Sequence, residues 1–154
     1  MKMKNECAVL PDGSFRIFAR MTAHYWDIDS DQLGKVAEYT WHANAKGYGQ
    51  AKPNRRTTIK LHRLILSPSA DLQVDHMDGN VSNNRVANLR AVDRVTNSQN
   101  LHHTNGVVPN GRVGWRARIT VKDRAIYSKT FRCPERAKEA HLELKRKYHP
   151  GFLG

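Results

Sequence analysis

The chain has 154 residues and a mass of 17.6 kDa, which is enough for one ordinary domain or two small ones. Its 26 lysines and arginines outnumber 14 acidic residues, and a formal charge of +12 predicts a polyanionic partner, most often nucleic acid. No apolar run of about 18 residues predicts a membrane span, and no long amphipathic basic helix favours a membrane surface. Two cysteines exclude a disulfide scaffold, so we expect a reducing, cytoplasmic setting.

The charge is unevenly distributed along the chain. Residues 1–60 carry 10 basic and 6 acidic side chains, residues 61–104 carry 4 of each, and residues 105–154 carry 12 and 4. A protein that only binds DNA gains little from a neutral centre, whereas a site that holds a cation needs carboxylates there. We therefore expect three domains with these boundaries.

The first segment is predicted to be mostly β. Residues 14–21 are rich in Phe, Ile and Arg and predict a strand, and a short helix is expected after Asp31. Residues 56–66 are strand-like and then apolar. Three aspartates alternate in this segment, but a calcium loop also needs a glycine and a distal glutamate, so we expect a solvated turn at Asp27, Asp29 and Asp31.

The middle segment predicts a strand, a loop, a second strand and a helix. The strands are predicted at 72–76 and 88–92, and the helix from Arg94 through about His102. Asparagine is concentrated in this segment, at positions 80, 83, 84, 88, 97 and 100. The preference of asparagine for loops explains Asn80 and Asn83. Asparagine is unfavourable inside a helix, so Asn97 and Asn100 invite a functional interpretation.

Asp75 and His76 carry the chemistry of this segment. Adjacent strand residues point to opposite faces unless the strand ends there, so one side chain can ligate a cation while the other addresses a nearby water molecule. Carboxylate and amide oxygens are hard ligands that suit Mg²⁺, and histidine accepts a proton near neutral pH. An Asp–His–Asn set with one metal ion suits phosphodiester hydrolysis.

The string VDHMDGNVSNNRVANLRAV, followed by TNSQN, resembles the HNH endonuclease family in its phage and intron-encoded homing branch. His76, Asn88 and Asn97 fall on the three landmarks of the family motif. The resemblance implies a ββα-metal finger in which His76 is the general base, and in which Asp75 and Asn97 hold Mg²⁺ or Mn²⁺. It also implies structural roles for Asn88 and Asn84. The cysteine pairs of zinc-binding relatives are missing, so we expect no structural zinc.

The resemblance extends upstream through Trp41, then Gly47 and Tyr48, then the stretch LHRLI at residues 61–65. His62 in this stretch can contact DNA or pack inside the protein, and packing is favoured. Trp41 is likewise expected in the core rather than as a platform on which bases stack.

The last segment predicts a small antiparallel sheet packed on one helix. Residues 115–122 alternate between an apolar and a basic face, residues 126–131 predict a second strand, and Pro134 opens the helix. Trp115 is expected on the apolar face against the helix. Lys145, in the last helical turn, is expected to contact phosphate.

The basic face of this sheet favours DNA as the partner over a merely solvated surface. Cations in a row on a sheet repel one another, and a short ribbon fits the DNA major groove. The stretch GVVPNGRVGWRARITV and the ending KYHPGFL resemble the plant ethylene-response-factor (Apetala-type) DNA-binding domain over residues 105–153. The candidate DNA-binding residues are Arg112, Trp115, Arg116, Arg118, Lys122 and Arg124.

We therefore expect an α+β protein with a ββα-metal nuclease finger. An N-terminal mostly β segment and a C-terminal antiparallel sheet packed on one helix flank it. The expected function is metal-dependent, site-specific cleavage of double-stranded DNA by a homing endonuclease. The alternatives are a non-catalytic DNA-binding regulator on a degenerate HNH scaffold and a binder of structured RNA. No heptad pattern predicts a dimer, so we expect a monomer, with a dimer as the alternative.

Overall fold

The structure is a computed structural model that describes residues 3–100 and 106–153. Short antiparallel strands and helices alternate along the chain, in agreement with the predicted α+β class. The chain divides into two units, Met1–Asp93 and Arg94–Gly154, which are described separately below. The predicted three-part division follows charge and motif, and it stays a prediction. In the described ranges, no helix has both the length and the apolar character that crossing a bilayer requires.

The strands described within residues 3–93 form three antiparallel sheets. The first contains β1 (Cys7–Val9), β2 (Phe15–Phe18) and β3 (Tyr25–Ile28). The second contains β4 (His42–Ala43), β5 (Gly49–Ala51) and β6 (Ile59–Lys60). The third pairs β7 (Gln73–His76) with β8 (Leu89–Val92), in a register that sets Asp75 opposite Arg90 and His76 opposite Leu89.

Two short helices complete the first unit. A 3-10 turn (Ser30–Gln32) leads into α1 (Leu33–Ala37), and α2 (Leu61–Leu66) follows β6 directly. Within residues 56–66, predicted as strand-like and then apolar, the strand is limited to Ile59–Lys60, and the apolar part forms a helix that was not predicted. Leu61, His62 and Ile65 are all buried, and one face of a helix can hold all three, whereas a strand would turn the adjacent Leu61 and His62 to opposite faces.

One hydrophobic core joins the elements of the first unit. Its fully or nearly fully buried members include Ile17, Trp26, Ile28, Val36, Trp41, Leu61, Ile65 and Leu89. Both indole N–H groups are satisfied, because Trp26 donates to the carbonyl of Gly47 and Trp41 to the carbonyl of Val36, each at 2.9 Å. Trp41 thus lies in the core, as the sequence predicts. Residues before and after position 60 depend on the same packing.

The second unit begins with α3 (Arg94–Gln99), and the predicted end of this helix near His102 lies outside the described residues. A sheet follows in the order β11 (Arg124–Tyr127), β10 (Trp115–Val121), β9 (Val107–Pro109). The helix α4 (Pro134–Tyr148) packs on β10 and begins at Pro134, as predicted. The turn from β10 to β11 has positive φ at Lys122 and Asp123, the geometry whose twist matches a two-residue hairpin.

The second strand is shorter than the predicted range of 126–131. It ends at Tyr127, because the next residue, Ser128, accepts the N–H of Ala117 on its side-chain Oγ at 2.9 Å. Pairing resumes at Phe131, whose N–H and carbonyl both bond to Trp115 at 2.7 Å. The strand β9 was not predicted from the sequence.

Two side chains of the second unit differ from expectation. Trp115 is 37% exposed, so its predicted burial against the helix is wrong, and Ala117 and Ile119 supply the buried face of β10 instead. Lys145 is only 3% exposed, and its Nζ lies 4.3 Å from the ring centroid of Phe152. The prediction of a surface phosphate contact at Lys145 is therefore wrong, since the long side chain packs inward over an aromatic ring.

Candidate functional site

His76 ends strand β7 and is almost fully buried. Its Nε2 lies 3.3 Å from Oδ1 of Asn84, and Nδ2 of the same asparagine donates to the carbonyl of Val81 at 3.0 Å. The second bond fixes the orientation of the amide, so the atom that faces the imidazole is an acceptor. Nε2 must therefore carry the hydrogen in this contact, and the lone pair of the neutral ring lies on Nδ1.

Two further rings pack against His76. The ring centroid of His62, from α2, lies 5.5 Å from that of His76, and the ring of Tyr48 lies 5.4 Å from His62 and 5.9 Å from His76. His62 is buried, in agreement with the predicted packing. The contacts themselves could not be predicted, because 14 and 28 residues of chain separate His76 from His62 and from Tyr48.

Burial keeps both imidazoles neutral near pH 7. It lowers the pKa of His76 from its usual value, against opposing effects of the Asn84 bond and nearby carboxylates. The pKa of His62 is lowered to about 3, chiefly by burial and also by its electrostatic interactions with His76, Lys60 and Arg63. A neutral imidazole is the form that accepts a proton, so His76 is in the state that a general base requires.

Asp75 is also buried, and it forms an ion pair with Arg90 across the β7–β8 ladder. Nε and Nη2 of Arg90 both donate to Oδ2 of Asp75, at 2.9 and 2.7 Å. The sequence analysis missed this partner, although Asp75 and Arg90 occupy the strands that were predicted. The carboxylate is held in one orientation by these bonds.

Side-chain amides and carboxylates organise the loop between β7 and β8. Asn88 donates to Oδ1 of Asp78 at 2.9 Å and to the carbonyl of Asn83 at 2.8 Å, and its own Oδ1 accepts the N–H of Asp78 at 3.1 Å. Asn83 donates to the other oxygen of Asp78 at 2.8 Å. The loop-tying role inferred for Asn88 stays a prediction, and these bonds are the contacts it would use.

The same loop is attached to strand β3. The N–H of Asn84 bonds to the carbonyl of Asp27, and the N–H of Asp27 to the carbonyl of Ser82, both at 2.8 Å. The carboxylate of Asp27 is bound by Arg16 through two bonds of 2.8 and 3.0 Å, and Asp29 accepts the N–H of Val86 at 2.7 Å. The expectation of a solvated turn is therefore wrong for Asp27 and Asp29, which anchor the loop instead.

The asparagines of α3 have different surroundings. Asn100 is buried just beyond the helix, and its Oδ1 accepts the N–H of Leu153 at 3.3 Å, so this residue holds the end of the chain. Gln99 likewise accepts the N–H of Gly151 at 2.8 Å. Asn97 lies on α3 and is half-buried. It belongs to the second unit, whereas Asp75 and His76 belong to the first.

The donor atoms of the candidate site fit a hard divalent cation. No three His, Cys, Asp or Glu side chains among the described residues come together to hold a metal ion, so a site rich in protein ligands is not present there. Asp75 supplies a carboxylate whose Oδ2 is held by two bonds from Arg90, and Asn97 supplies an amide oxygen. Carboxylate and amide oxygens, few in number, are what Mg²⁺ takes while it keeps several waters.

Most of the predicted DNA-binding side chains of the second unit are exposed. Arg112, Arg118, Lys122 and Arg124 are exposed, as is Trp115. Arg116 is half-buried because its guanidinium stacks on the ring of Tyr127, with Cζ 3.9 Å from the ring centroid. This stacking, which the sequence did not predict, orients the guanidinium on the sheet surface.

Residues 67–102 match the sequence model of a family described as HNH endonuclease. The matched range contains Asp75, His76, Asn88 and Asn97 together with the ordered loop between β7 and β8. The match indicates a nuclease-type function with DNA as the substrate, and nucleases of this family generally depend on a divalent metal. No curated protein and no solved structure matches the chain.

The ion pair between Asp75 and Arg90 is testable through stability. We expect Arg90→Ala to lower the free energy of unfolding by about 1–3 kcal/mol, because a buried carboxylate loses two charged hydrogen bonds. Adding Asp75→Ala to Arg90→Ala should cost less than Asp75→Ala costs alone. Urea denaturation of the four proteins gives the coupling energy, and additive losses would show that the pair contributes nothing.

The low pKa of His62 predicts acid sensitivity. The folded protein keeps this ring neutral while the unfolded chain protonates it, so stability is lost as pH falls from 6.5 towards about 3. We expect His62→Gln to remove part of this loss, up to about 2 kcal/mol between pH 7.5 and pH 5. The exposed His42→Gln serves as the control. Equal pH dependence of urea denaturation in His62→Gln and wild type would contradict the expectation.

Proposed function

We propose that this protein is a metal-dependent endonuclease that hydrolyses phosphodiester bonds in double-stranded DNA. The observation that carries the proposal is the buried, neutral imidazole of His76, held by Asn84 inside the range that matches HNH endonucleases. A catalytic base must be unprotonated at the working pH and fixed in orientation. Burial provides the first condition and the Asn84 contact provides the second.

In this proposal each side chain of the site has one role. Nδ1 of His76 takes a proton from the attacking water, while Asn84 keeps the ring in the required tautomer. Asp75 and Asn97 would hold Mg²⁺ or Mn²⁺, which when bound supplies positive charge against the charge that develops on the phosphate. Arg90 keeps the carboxylate of Asp75 in place. Asn88 maintains the loop and does not touch the substrate.

The second unit would supply DNA binding and site preference. Its exposed sheet face resembles in sequence the ethylene-response-factor type of DNA-binding domain, and it presents arginines on a flat ribbon that fits a major groove. Arg116, oriented by Tyr127, and the exposed Arg118 are the side chains best placed to fork onto guanine. A site-specific enzyme of the homing type combines such a reader with a hydrolytic centre.

The catalytic role of His76 predicts a loss of cleavage without a loss of binding. We expect His76→Ala to lower kcat for plasmid nicking by about 100- to 10,000-fold, because a general base acts in the transition state. The Kd for duplex DNA, measured by fluorescence anisotropy with chelator present, should stay near that of wild type. The exposed His42→Ala is the matched control and should cleave normally.

The same assay separates the proposal from its alternatives. Wild-type cleavage should stop in excess chelator and return with Mg²⁺ or Mn²⁺. Near-normal nicking by His76→Ala would refute the assignment of the base, and nicking in excess chelator would refute the metal. Tight duplex binding with no cleavage under any divalent metal would favour the non-catalytic regulator.

The sheet face predicts a sequence-dependent loss of affinity. Using duplexes selected from a random library by the full chain, we expect Arg116→Ala or Arg118→Ala to cost about 1–3 kcal/mol on selected DNA and less on random DNA. Arg136→Ala, at an exposed position of α4, is the control and should change both affinities little. Equal losses on both DNAs would mean that the sheet only contacts the backbone.

A further inference from the structure

Residues 39–70 contain no aspartate or glutamate. The stretch carries six cations, at Lys46, Lys52, Arg55, Arg56, Lys60 and Arg63. It also supplies Tyr48 and His62, the two rings that pack on His76. A segment free of acidic residues therefore lies in direct contact with the proposed general base.

The cations of this segment concentrate in one loop. We call residues 52–60, which follow β5 and run through β6, the basic loop. Its four cations, Lys52, Arg55, Arg56 and Lys60, are all exposed, and none forms an ion pair with any described residue. Arg63, just outside the loop, differs, because it donates to the carbonyls of Leu72 and Ser69 at 2.6 and 3.2 Å. Arg63 is structural, whereas no acidic partner in the described part of the chain explains the cations of the basic loop.

The basic loop has a defined backbone. Oδ1 of Asn54 accepts the N–H groups of Arg56 and Thr57 at 2.9 and 2.8 Å, which closes a turn around the two arginines. The arginines are therefore held close together although their charges repel. The charge of Lys60, at the other end of the loop, also contributes to the lowered pKa of His62, so this end lies near the ring cluster.

We propose that the basic loop is a second DNA-binding surface, in which Arg55, Arg56 and Lys60 bind backbone phosphates of duplex DNA beside His76. Guanidinium groups suit phosphate oxygens through paired hydrogen bonds. The loop contains no aromatic residue on which the bases of a single strand would stack, and no exposed large hydrophobic side chain that would enter a membrane. It binds phosphates whatever the sequence, whereas the sheet of the second unit reads bases. The choice of DNA as the polyanion rests on the proposed nuclease function.

The test is the salt dependence of duplex binding by the full chain in the presence of chelator. We expect Arg55→Gln/Arg56→Gln to reduce the slope of log K against log salt by about 0.9 for each phosphate that the variant no longer neutralises, and to weaken binding about 3- to 10-fold at physiological salt. In the cleavage assay the same variant should raise KM and leave kcat unchanged, since the phosphate contacts are equal in the ground and transition states.

Two control variants isolate the basic loop. Arg55→Lys/Arg56→Lys keeps the charge and should keep most of the salt slope. Arg20→Gln/Lys35→Gln removes two exposed cations of the same unit outside the loop, and it should bind as wild type does. We expect the midpoint temperature of thermal unfolding to be the same in each variant as in wild type, because the substituted side chains are exposed. Equal midpoints show that the fold is retained.

An unchanged slope in Arg55→Gln/Arg56→Gln overturns the proposal, and so does an equal change in the Arg20→Gln/Lys35→Gln control. Duplex RNA that displaces DNA as well as DNA itself does would overturn the choice of partner. The proposed nuclease function and the proposed role of the basic loop can be refuted independently of each other. A chain that cuts DNA but shows no loop effect keeps the nuclease function and loses this surface. A chain whose loop variant binds more weakly but which cuts nothing with Mg²⁺ or Mn²⁺ keeps this surface and loses the nuclease function.

Discussion

The attachment of the β7–β8 loop to strand β3 is the constraint on which the candidate site depends. The loop contains only a short 3-10 turn, so its own backbone bonds cannot hold it rigid. Asn84 holds the loop with three hydrogen bonds. Its backbone N–H donates to Asp27 of β3, its side-chain nitrogen donates to the carbonyl of Val81 within the loop, and its side-chain oxygen accepts from His76. The position of the imidazole is thereby tied to the hydrophobic core beneath β3. A surface loop acquires the order of a buried element.

Electrostatic conditions in the first unit change over a short distance. Around His76 the rings of Tyr48 and His62 pack against the imidazole, and burial there keeps it neutral. One residue earlier, the buried carboxylate of Asp75 has the guanidinium of Arg90 as its counter-ion. The proposed metal-assisted hydrolysis needs both an uncharged base and a carboxylate. The fold provides them side by side by giving each a different set of neighbours.

Local sequence patterns predicted the parts of the structure that depend on local physics. The alternation at 115–122 and the position of Pro134 were sufficient for β10 and for the start of α4. The helix α2 escaped prediction because six residues are too few to show a period against a strand. In the candidate site, the motif indicated His76 and the asparagines at 84, 88 and 97. It did not indicate Arg90, although this residue lies in a predicted strand. The neighbours contributed by Tyr48, His62 and Asp27 come from distant chain segments, and no local pattern encodes such contacts.

The boundary between the two units, after Asp93, affects how the protein can change by recombination. It falls within the family motif, between Asn88 and Asn97, so the residues proposed for catalysis are shared between two separately packed parts of the gene product. A recombination event at this boundary would bring in a new form of the sheet that is proposed to read DNA, together with a new residue at position 97. Under the proposed assignment, a change of target preference is then coupled to the metal ligand at position 97, and only donors that keep a suitable oxygen ligand there would yield active chimaeras. Recombination upstream, between positions 60 and 61, would instead separate Leu61, Ile65 and Leu89 from the core residues that cover them.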